Sequence, residues 1–394
     1  MKNERVAVLD IRSFEVTFLI GSRGVNDTFI ICGTKSEKYE GYSTEGFFDK
    51  ESFRRAVIAV VSSVRQNYEG IIDEIYVSAP AEFTSVKTKG HTISFPSKRK
   101  ISKQDVDALF DSGLNELLAT GHCIKRSAMY FALGDNRKYF DVKDLYGIPT
   151  SLLKGALCFY FVSDEFYSFI TEILSGLGIS KIRLLPSSLA QANYLVPEKR
   201  RESYAFLLDV GFLTSTLSVV YGNGIVREES FDCGLGNIIA QLMHKFNVDY
   251  SVAEEMLYSA NISGGNVPRS LMWTGEDGAS YSVLEINDVI KYGLDELCEN
   301  ANEFFASHYK NKTTVAILNA PLLVTGEGVN GVAGVVEYLS KRINRSAEIV
   351  SPDLPYYDKP SYSSRIALLD TALENRPKSG FLDTLKNIFG GKKK

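Results

Sequence analysis

A short apolar strand that ends in an aspartate, turns tightly and returns as a second apolar strand occurs twice along the chain. The first copy occupies residues 6–11 and 16–21, and the second occupies residues 205–210 and 217–222. Consecutive apolar positions of this kind are typical of a strand that is buried on both faces. Two such hairpins about half a chain apart predict a duplicated α/β domain with a cleft between the copies.

Helical and strand periodicities fill the intervals around the hairpins. Apolar residues at helical spacing predict helices over 51–68, 166–177, 237–246, 251–259, 283–309, 334–343 and 365–373. Short apolar runs predict strands at 74–78, 181–185 and 321–324. The segment 261–282 is rich in glycine, serine and asparagine, which predicts an exposed loop.

The segment 86–162 has a different pattern and predicts a compact α+β insert. Strands are expected at 91–95, 129–133 and 155–162. Between the first two of them, Ser102 is followed three residues later by Asp105, which predicts a capping box at the start of a helix.

Composition narrows the class of protein. The chain has 394 residues, of which 44% are hydrophobic and 23% charged, and this length fits two or more packed domains. Its net charge of −4 disfavours nucleic acid as a partner, because nucleic-acid-binding proteins usually carry a basic excess. Apolar runs stay shorter than the roughly 18–20 residues of a bilayer-spanning helix, so we expect any membrane contact to be peripheral.

The segment 380–394 has a pronounced amphipathic pattern. Five apolar residues fall on one helical face: Phe381, Leu382, Leu385, Ile388 and Phe389. From residue 376 onwards there are six basic residues and one acid, a net charge of +5. The basic residues of the segment itself are Lys386, Lys392, Lys393 and Lys394. The pattern predicts a helix that lies on an anionic membrane surface, joined to the body by a linker over 374–379.

Two other interpretations of this segment stay open. The helix could dock on the protein's own surface or in a partner's groove, and the final lysines could serve solubility alone. If it does bind lipid, one such helix binds weakly, whereas many helices on one polymer bind firmly through their effective concentration. The weak binding of a single helix therefore favours an assembling protein.

The two hairpins and a third turn predict a nucleotide cleft. Asp10 and Asp209 end the first strand of each hairpin, where a carboxylate can hold Mg²⁺ through water. The backbone N–H groups of the following turns can hold phosphate oxygens. A glycine-rich turn over 325–334 can lie against a nucleoside.

With these motifs the chain resembles the actin/hexokinase/Hsp70 superfamily and, within it, the bacterial cell-division family FtsA. Leu9-Asp10-Ile11 and Asp209-Val210-Gly211 are similar to the two phosphate loops, and Thr325-Gly326-Glu327-Gly328 to the adenosine motif. Gly234-Leu235-Gly236 and Ala253-Glu254-Glu255 are similar to the family's glycine turn and nucleotide-facing helix. The insert at 86–162 stands where FtsA proteins carry their special subdomain.

The resemblance implies ATP and Mg²⁺ as cofactors. The nucleotide-binding positions that it implies are Asp10, Ser13, Asp209, Gly211, Thr214, Gly234, Gly236, Glu254, Glu255, Gly326 and Gly328. Asp10 and Asp209 would hold the metal through water. The implied function is to polymerise and to anchor the tubulin-like division GTPase FtsZ to the inner face of the cytoplasmic membrane. Other division proteins are implied partners, and the division site is the implied location.

Both phosphate loops depart from the family pattern. The first reads Asp10-Ile11-Arg12-Ser13, with Arg12 where the family has a glycine whose lack of a side chain admits a phosphate. Glu15 adds a negative charge nearby. The second reads Gly211-Phe212-Leu213-Thr214 in place of a glycine run, and Thr216 stands where the family has an aspartate. These changes predict a weak or altered nucleotide site with at most weak ATPase activity, or a cleft kept only as a scaffold.

The predicted fold is an α/β, actin-like two-lobed ATPase fold with an FtsA-type α+β insert and a C-terminal amphipathic helix. Its predicted parts are a first lobe over 1–85, 163–202 and 351–373, the insert over 86–162, a second lobe over 203–350 with a helical subdomain at about 240–315, the linker 374–379 and the membrane helix 380–394.

Two other functions share this fold class. A pilus-assembly actin homologue of the PilM type carries the same insert and binds a membrane protein's peptide, but it needs no membrane helix of its own. A small-molecule kinase would need intact phosphate loops and a catalytic base, which the altered loops disfavour.

Overall fold

The computed structural model of the protein describes residues 5–117, 121–276, 278–309, 317 and 319–375, with the backbone alone at residue 27. Its strands and helices, numbered along the chain, are β1 Val6–Ile11, β2 Glu15–Arg23, β3 Phe29–Lys38, β4 Tyr42–Ser43, β5 Gly46–Phe47, α1 Lys50–Asn67, β6 Glu74–Ala79, β7 Thr84–Lys100, α2 Lys103–Asn115, β8 His122–Leu133, β9 Lys138–Tyr139, β10 Pro149–Val162, α3 Asp164–Gly176, β11 Lys181–Pro186, α4 Ser187–Leu195, α5 Glu198–Arg201, β12 Tyr204–Val210, β13 Ser215–Tyr221, β14 Gly224–Phe231, α6 Leu235–Phe246, α7 Tyr250–Ser259, β15 Met272–Thr274, β16 Ser280–Ser282, α8 Val283–Tyr309, β17 Leu322–Thr325, α9 Val335–Ile343, β18 Ala347–Ile349 and α10 Ser363–Glu374.

Two five-stranded sheets share one topology. Their strand orders are β3-β2-β1-β6-β11 and β14-β13-β12-β17-β18. In each sheet the first three strands form an antiparallel meander, and the last two run parallel to the central strand. The predicted hairpins are β1–β2 and β12–β13, which occupy equivalent places in the two sheets. The duplication expected from the strand pattern is therefore confirmed.

Helices cover both sheets and so form the cores of two lobes. In the first lobe, α1 and α3 bury apolar side chains such as Phe53, Val60 and Ile170 against one face of the sheet. The other face is covered by α10, through Leu368 and Leu369. In the second lobe, α6, α7, α8 and α9 pack together on β12 and β17. The helices predicted by periodicity are present, with ends that differ by a residue or two.

The insert is a four-stranded sheet, ordered β7-β10-β8-β9, with α2 packed on it. Helix α2 begins at the predicted capping box: the Ser102 N–H donates to Asp105 Oδ2 at 2.9 Å, and the Asp105 N–H donates to Ser102 Oγ at 3.4 Å. The insert also contacts the second lobe, because the backbone N–H of Ile225 donates to Tyr160 Oη at 2.9 Å. The domain boundaries stay predictions.

The structure corrects one sequence-based expectation, the loop over 261–282, and does not describe another, the membrane helix. The segment 261–282 is not a plain loop, because β15 and β16 pair within it and bring Trp273 opposite Tyr281. The high glycine and serine content of the segment gave no strand pattern for this short hairpin, whose strands have only three residues each.

The predicted membrane helix 380–394, with linker residues 376–379, lies outside the described residues. Within the described ranges, every helix is too short or too polar to cross a bilayer.

Substituting Gly222 should weaken the contact between the second lobe and the insert. Gly222 has a φ of +57°, and a Cβ there would lie 1.6 Å from the backbone oxygen of Met129 in β8. We expect Gly222→Ala to lower the free energy of unfolding by about 2 kcal/mol more than Gly178→Ala does. Gly178 is the matched control, since its φ is +75° and a Cβ there meets open space. Urea unfolding of both variants measures the difference, and equal losses would show that the packing has no such constraint.

Candidate functional site

The cleft between the lobes is where the two predicted phosphate loops meet. The turn after β1 and the turn after β12 face each other, and three consecutive residues of the first turn, Arg12, Ser13 and Phe14, contact the second. We call residues 12–14 the plug. Each strand before these turns is buried, which fixes the turns in place and brings residues about 200 positions apart into contact.

Arg12 forms a bidentate ion pair with Asp209. The Nη1 atom of Arg12 lies 2.5 Å from Asp209 Oδ2, and its Nη2 atom lies 2.8 Å from Asp209 Oδ1. Gln191 on α4 donates to the same Oδ2 at 2.8 Å, and Arg12 Nε lies 3.7 Å from Glu327 Oε1. Burial raises the pKa of the Asp209 carboxyl, but the charge of Arg12 and the hydrogen bonds outweigh it and hold this pKa below its ordinary value. Asp209 is therefore a carboxylate whose two oxygens are both occupied.

Ser13 and Phe14 complete the contact between the turns. Ser13 Oγ accepts hydrogen bonds from the backbone N–H groups of Leu213 and Thr214, at 3.0 and 3.4 Å. The ring of Phe14 stacks on that of Phe212, with centroids 4.0 Å apart and planes 15° apart. The N–H groups that would receive a phosphate in this turn thus bond to a side chain of the other lobe.

Further contacts join the lobes around the plug. The Thr44 N–H and hydroxyl donate to the two carboxylate oxygens of Asp232, at 2.9 and 2.5 Å. The Lys38 ammonium lies 5.1 Å from the centroid of Phe14 and 5.8 Å from that of Tyr250 on α7. The plug is therefore the middle of a longer line of interlobe contacts.

Asp10 lies deeper than Asp209 and lacks a direct ion pair among the described residues. Ser364 on α10 donates to its Oδ1 at 2.6 Å, and its buried Oδ2 has no hydrogen-bond partner in the part of the chain that the structure describes. Burial raises the pKa of Asp10, although the charges of Arg12 and Arg365 oppose this. Burial likewise raises the pKa of Glu327, again opposed by the charge of Arg12. Arg12 is thus the central cation among several carboxyl groups.

The glycine turns predicted for the site pack directly on the second loop. The N–H groups of Leu235 and Gly236 donate to the carbonyl oxygens of Gly211 and Phe212, at 3.0 and 2.7 Å. Gly326 has a φ of +98°, and a Cβ there would lie 2.4 Å from Asp209 Oδ1. Because these glycines lack a side chain, the turns can pack closely. A side chain at any of these glycine positions would hold the turns apart.

Most of the predicted site residues lie in this one cluster. Those that the structure brings together are Asp10, Ser13, Asp209, Gly211, Thr214, Gly234, Gly236, Gly326 and Gly328. Glu254 and Glu255 differ from them: Glu254 accepts a hydrogen bond from Tyr250 of its own helix at 3.0 Å, and Glu255 is exposed. The role of each residue in binding a nucleotide stays a prediction.

Sequence reasoning missed the residues that surround the ion pair. Gln191, Ser364 and Arg365 come from distant helices, and no local pattern points to them. Glu327 lies in the predicted adenosine motif, but its proximity to Arg12 depends on how the two lobes pack. Arg365 itself donates to Glu15 Oε1 at 3.1 Å, so the extra acid of the first loop is also paired.

The space beside the plug is small. A cavity of about 30 Å³ is lined by Arg12, Glu82, Ser188, Gln191, Asp209 and Thr214, among others. Small-molecule sites measure roughly 300–1,000 Å³, whereas a cavity of this size suits a few water molecules at most. With the plug in place, the residues present do not fit a Mg²⁺–triphosphate group, because its cation position and its N–H donors are already used.

Ser188, which lines this cavity, contacts a buried carboxyl group. Its hydroxyl donates to Glu228 on β14, and the buried Glu228 Oε1 has no hydrogen-bond partner among the described residues. Burial raises the pKa of Glu228 to about 8. The side chain is therefore protonated in the folded protein at neutral pH.

Comparisons with known proteins support a fold class. No protein-family model and no curated protein matches the chain. Among solved structures, a PilM–PilN complex of type IV pilus biogenesis aligns at a TM-score of 0.58 with 13% identity, over 94% of this chain and 99% of that one. MreB5 of Spiroplasma citri bound to ADP aligns at 0.53 with 11% identity, over 98% and 99%. The ethanolamine utilization protein EutJ of Carboxydothermus hydrogenoformans aligns at 0.52 with 10% identity, over 94% and 91%.

These likenesses establish that the chain has the actin-like ATPase fold, as predicted. The identities are too low to carry more than the fold. MreB5 has been solved with ADP and with AMPPNP, so proteins of this fold do bind nucleotides in some cases.

Removing the Glu228 carboxyl should flatten the dependence of stability on pH. The pKa is raised from 4.5 to about 8 in the folded state, so this group's stabilising contribution is full below about pH 4.5 and is lost as pH rises through about 8. From pH 5.5 to 8, we expect the wild-type free energy of unfolding to fall by about 2 kcal/mol more than that of Glu228→Gln. Glu229→Gln, on an exposed neighbour, should follow the wild type in urea titrations. Parallel curves for Glu228→Gln and wild type would contradict the assignment.

Proposed function

We propose that the protein is an actin-like scaffold that assembles on an anionic membrane surface and brings a partner protein to it, in the manner of the FtsA family. The observation that carries this is the two-lobed body whose cleft is filled by its own side chains. A cleft that is closed in this way offers no open site for a reaction, whereas the outer surfaces of the lobes and the insert remain available for contacts. The segment 380–394 supplies the membrane contact in this proposal.

The proposed partner is an FtsZ-like GTPase, together with further copies of this chain and other division proteins. The proposed location is the inner face of the cell membrane at the division site. The basic amphipathic segment after α10 supports this choice, because a PilM-type protein carries the same insert but needs no membrane helix of its own. ATP with Mg²⁺ belongs to the proposal only for a state in which the plug is displaced.

A PilM-like function is the second candidate, and one surface favours it. A groove of about 400 Å³ runs between the insert and β11, the edge strand of the first sheet, and is lined in part by Ile124, Lys125, Tyr167 and Leu184. An edge strand beside a groove can accept an extended peptide as an added strand. A kinase is disfavoured, because its phosphate position would coincide with the plug.

Placing a charge on the apolar face of the segment 380–394 should abolish membrane binding. Leu385→Glu puts a carboxylate where the helix would enter the lipid, whereas Asn387→Glu makes the same charge change on the polar face. In co-sedimentation with vesicles containing phosphatidylserine, we expect Leu385→Glu to lose binding at least ~10-fold, and Asn387→Glu to lose ~5-fold or less. Deletion of 380–394 should match Leu385→Glu. Unchanged binding after the deletion would overturn the membrane proposal.

The two partner proposals separate in one binding experiment. The FtsA-like function predicts that purified FtsZ-like GTPase binds the full chain and also binds Ile124→Glu, whose change lies in the groove. The PilM-like function predicts instead that the chain binds peptides of membrane proteins and that Ile124→Glu lowers this affinity ~10-fold or more. Thermal unfolding checks that the variant is folded. Peptide binding that Ile124→Glu abolishes, without GTPase binding, would favour the PilM-like function.

A further inference from the structure

We infer that the plug stands in for the metal–phosphate group of a nucleotide cleft, so that this chain holds its two lobes closed without a nucleotide. Each plug residue replaces one part of that group or fills the space around it. The inference rests on the same filled cleft that carries the proposed function. Its melting experiments do not involve the membrane segment, so they can fail while the vesicle experiment succeeds.

Arg12 supplies the positive charge. Asp209 and Glu327 come from the second lobe and face the cleft, and two close carboxylates need a counter-ion. A divalent cation would be one solution, since Mg²⁺ is held by carboxylates and water. Here the guanidinium fills that place, with both of its terminal nitrogens on Asp209 and its Nε 3.7 Å from Glu327 Oε1.

Ser13 supplies the oxygen. Backbone N–H groups in a tight turn form a concave donor site that suits a phosphate oxygen. In this chain the N–H groups of Leu213 and Thr214 point at Ser13 Oγ, at 3.0 and 3.4 Å. The hydroxyl comes from the opposite lobe, so it joins the lobes where a phosphate would bridge them.

Phe14 removes the space that remains. Its ring lies flat on that of Phe212, with centroids 4.0 Å apart and planes 15° apart. Aromatic stacking adds attraction that a nucleotide would have to replace. Because a bound Mg²⁺–triphosphate would have to displace the cation, the hydroxyl and the ring together, the closed state is the ground state of the polypeptide itself.

The experiment measures the melting temperature of the full chain with and without 1 mM MgCl₂ and ATP. A ligand at about 100 times its Kd would raise this temperature by several degrees. We expect the wild type to shift by less than about 1 °C. Calorimetric titration of the wild type with Mg²⁺ and ATP should show no saturable heat in the same range.

Removing the guanidinium should convert the cleft into a cation-dependent site. We expect Arg12→Gly to melt about 5 °C lower than wild type, because Asp209 and Glu327 lose their counter-ion. Addition of 10 mM MgCl₂ should restore part of this loss. Arg23→Ala is the matched control: it breaks an Arg–Asp pair, Arg23 to Asp370 at 2.6 Å, that lies within the first lobe, and it should show a smaller loss and no response to Mg²⁺.

Three results would overturn the inference. They are a wild-type shift of several degrees with Mg²⁺ and ATP, an Arg12→Gly variant as stable as wild type, and an Arg12→Gly variant that folds but ignores Mg²⁺. If Arg12→Gly fails to fold, Phe14→Ala keeps the ion pair and takes its place. The expected result is then a lower melting temperature without any gain from Mg²⁺ and ATP, and a gain equal to that of a nucleotide-binding protein would contradict the role of the ion pair.

Discussion

The ion pair between Arg12 and Asp209 joins two loops that lie 197 residues apart, and the geometry of the cleft depends on it. A buried carboxylate without a counter-ion costs several kcal/mol, so Asp209 at the end of a buried strand requires a cation. Arg12 meets this requirement in a planar, two-pronged geometry that lysine could not reproduce. Gln191 donates a third hydrogen bond to the same carboxylate, and Glu327 lies beside the positive charge of Arg12.

The two loops carry complementary groups. An arginine in the first loop alone would place a cation against whatever the second loop binds. Here the second loop offers Asp209 to the guanidinium, two N–H groups to Ser13 and the ring of Phe212 to Phe14. These residues therefore form one contact surface between the lobes. The insert makes a separate contact with the second lobe, through the hydrogen bond from the Ile225 N–H to Tyr160 Oη.

Most of the fold could be predicted from local patterns in the sequence. Runs of consecutive apolar residues predict the hairpins, helical spacing predicts the long helix over 283–309, and capping chemistry predicts the capping box at Ser102. All three patterns act between near neighbours in sequence. The short β15–β16 hairpin was not predicted, because its strands are too short to show the two-residue periodicity of a β-strand. For the site, the two strand-end aspartates and the glycine turns were predictable, but the partner of Arg12 was not. Which carboxylate an arginine meets across a cleft depends on how two lobes pack, and no pattern within one segment encodes that packing.

In our proposal, the protein's own side chains hold the actin-like body closed, so its shape requires no ligand and is available for assembly or recruitment at all times. The most direct test is small-angle X-ray scattering of the full chain before and after addition of Mg²⁺ and ATP. We predict the same radius of gyration in both conditions, since the lobes are already closed. A larger radius without nucleotide that shrinks when Mg²⁺ and ATP are added would contradict it.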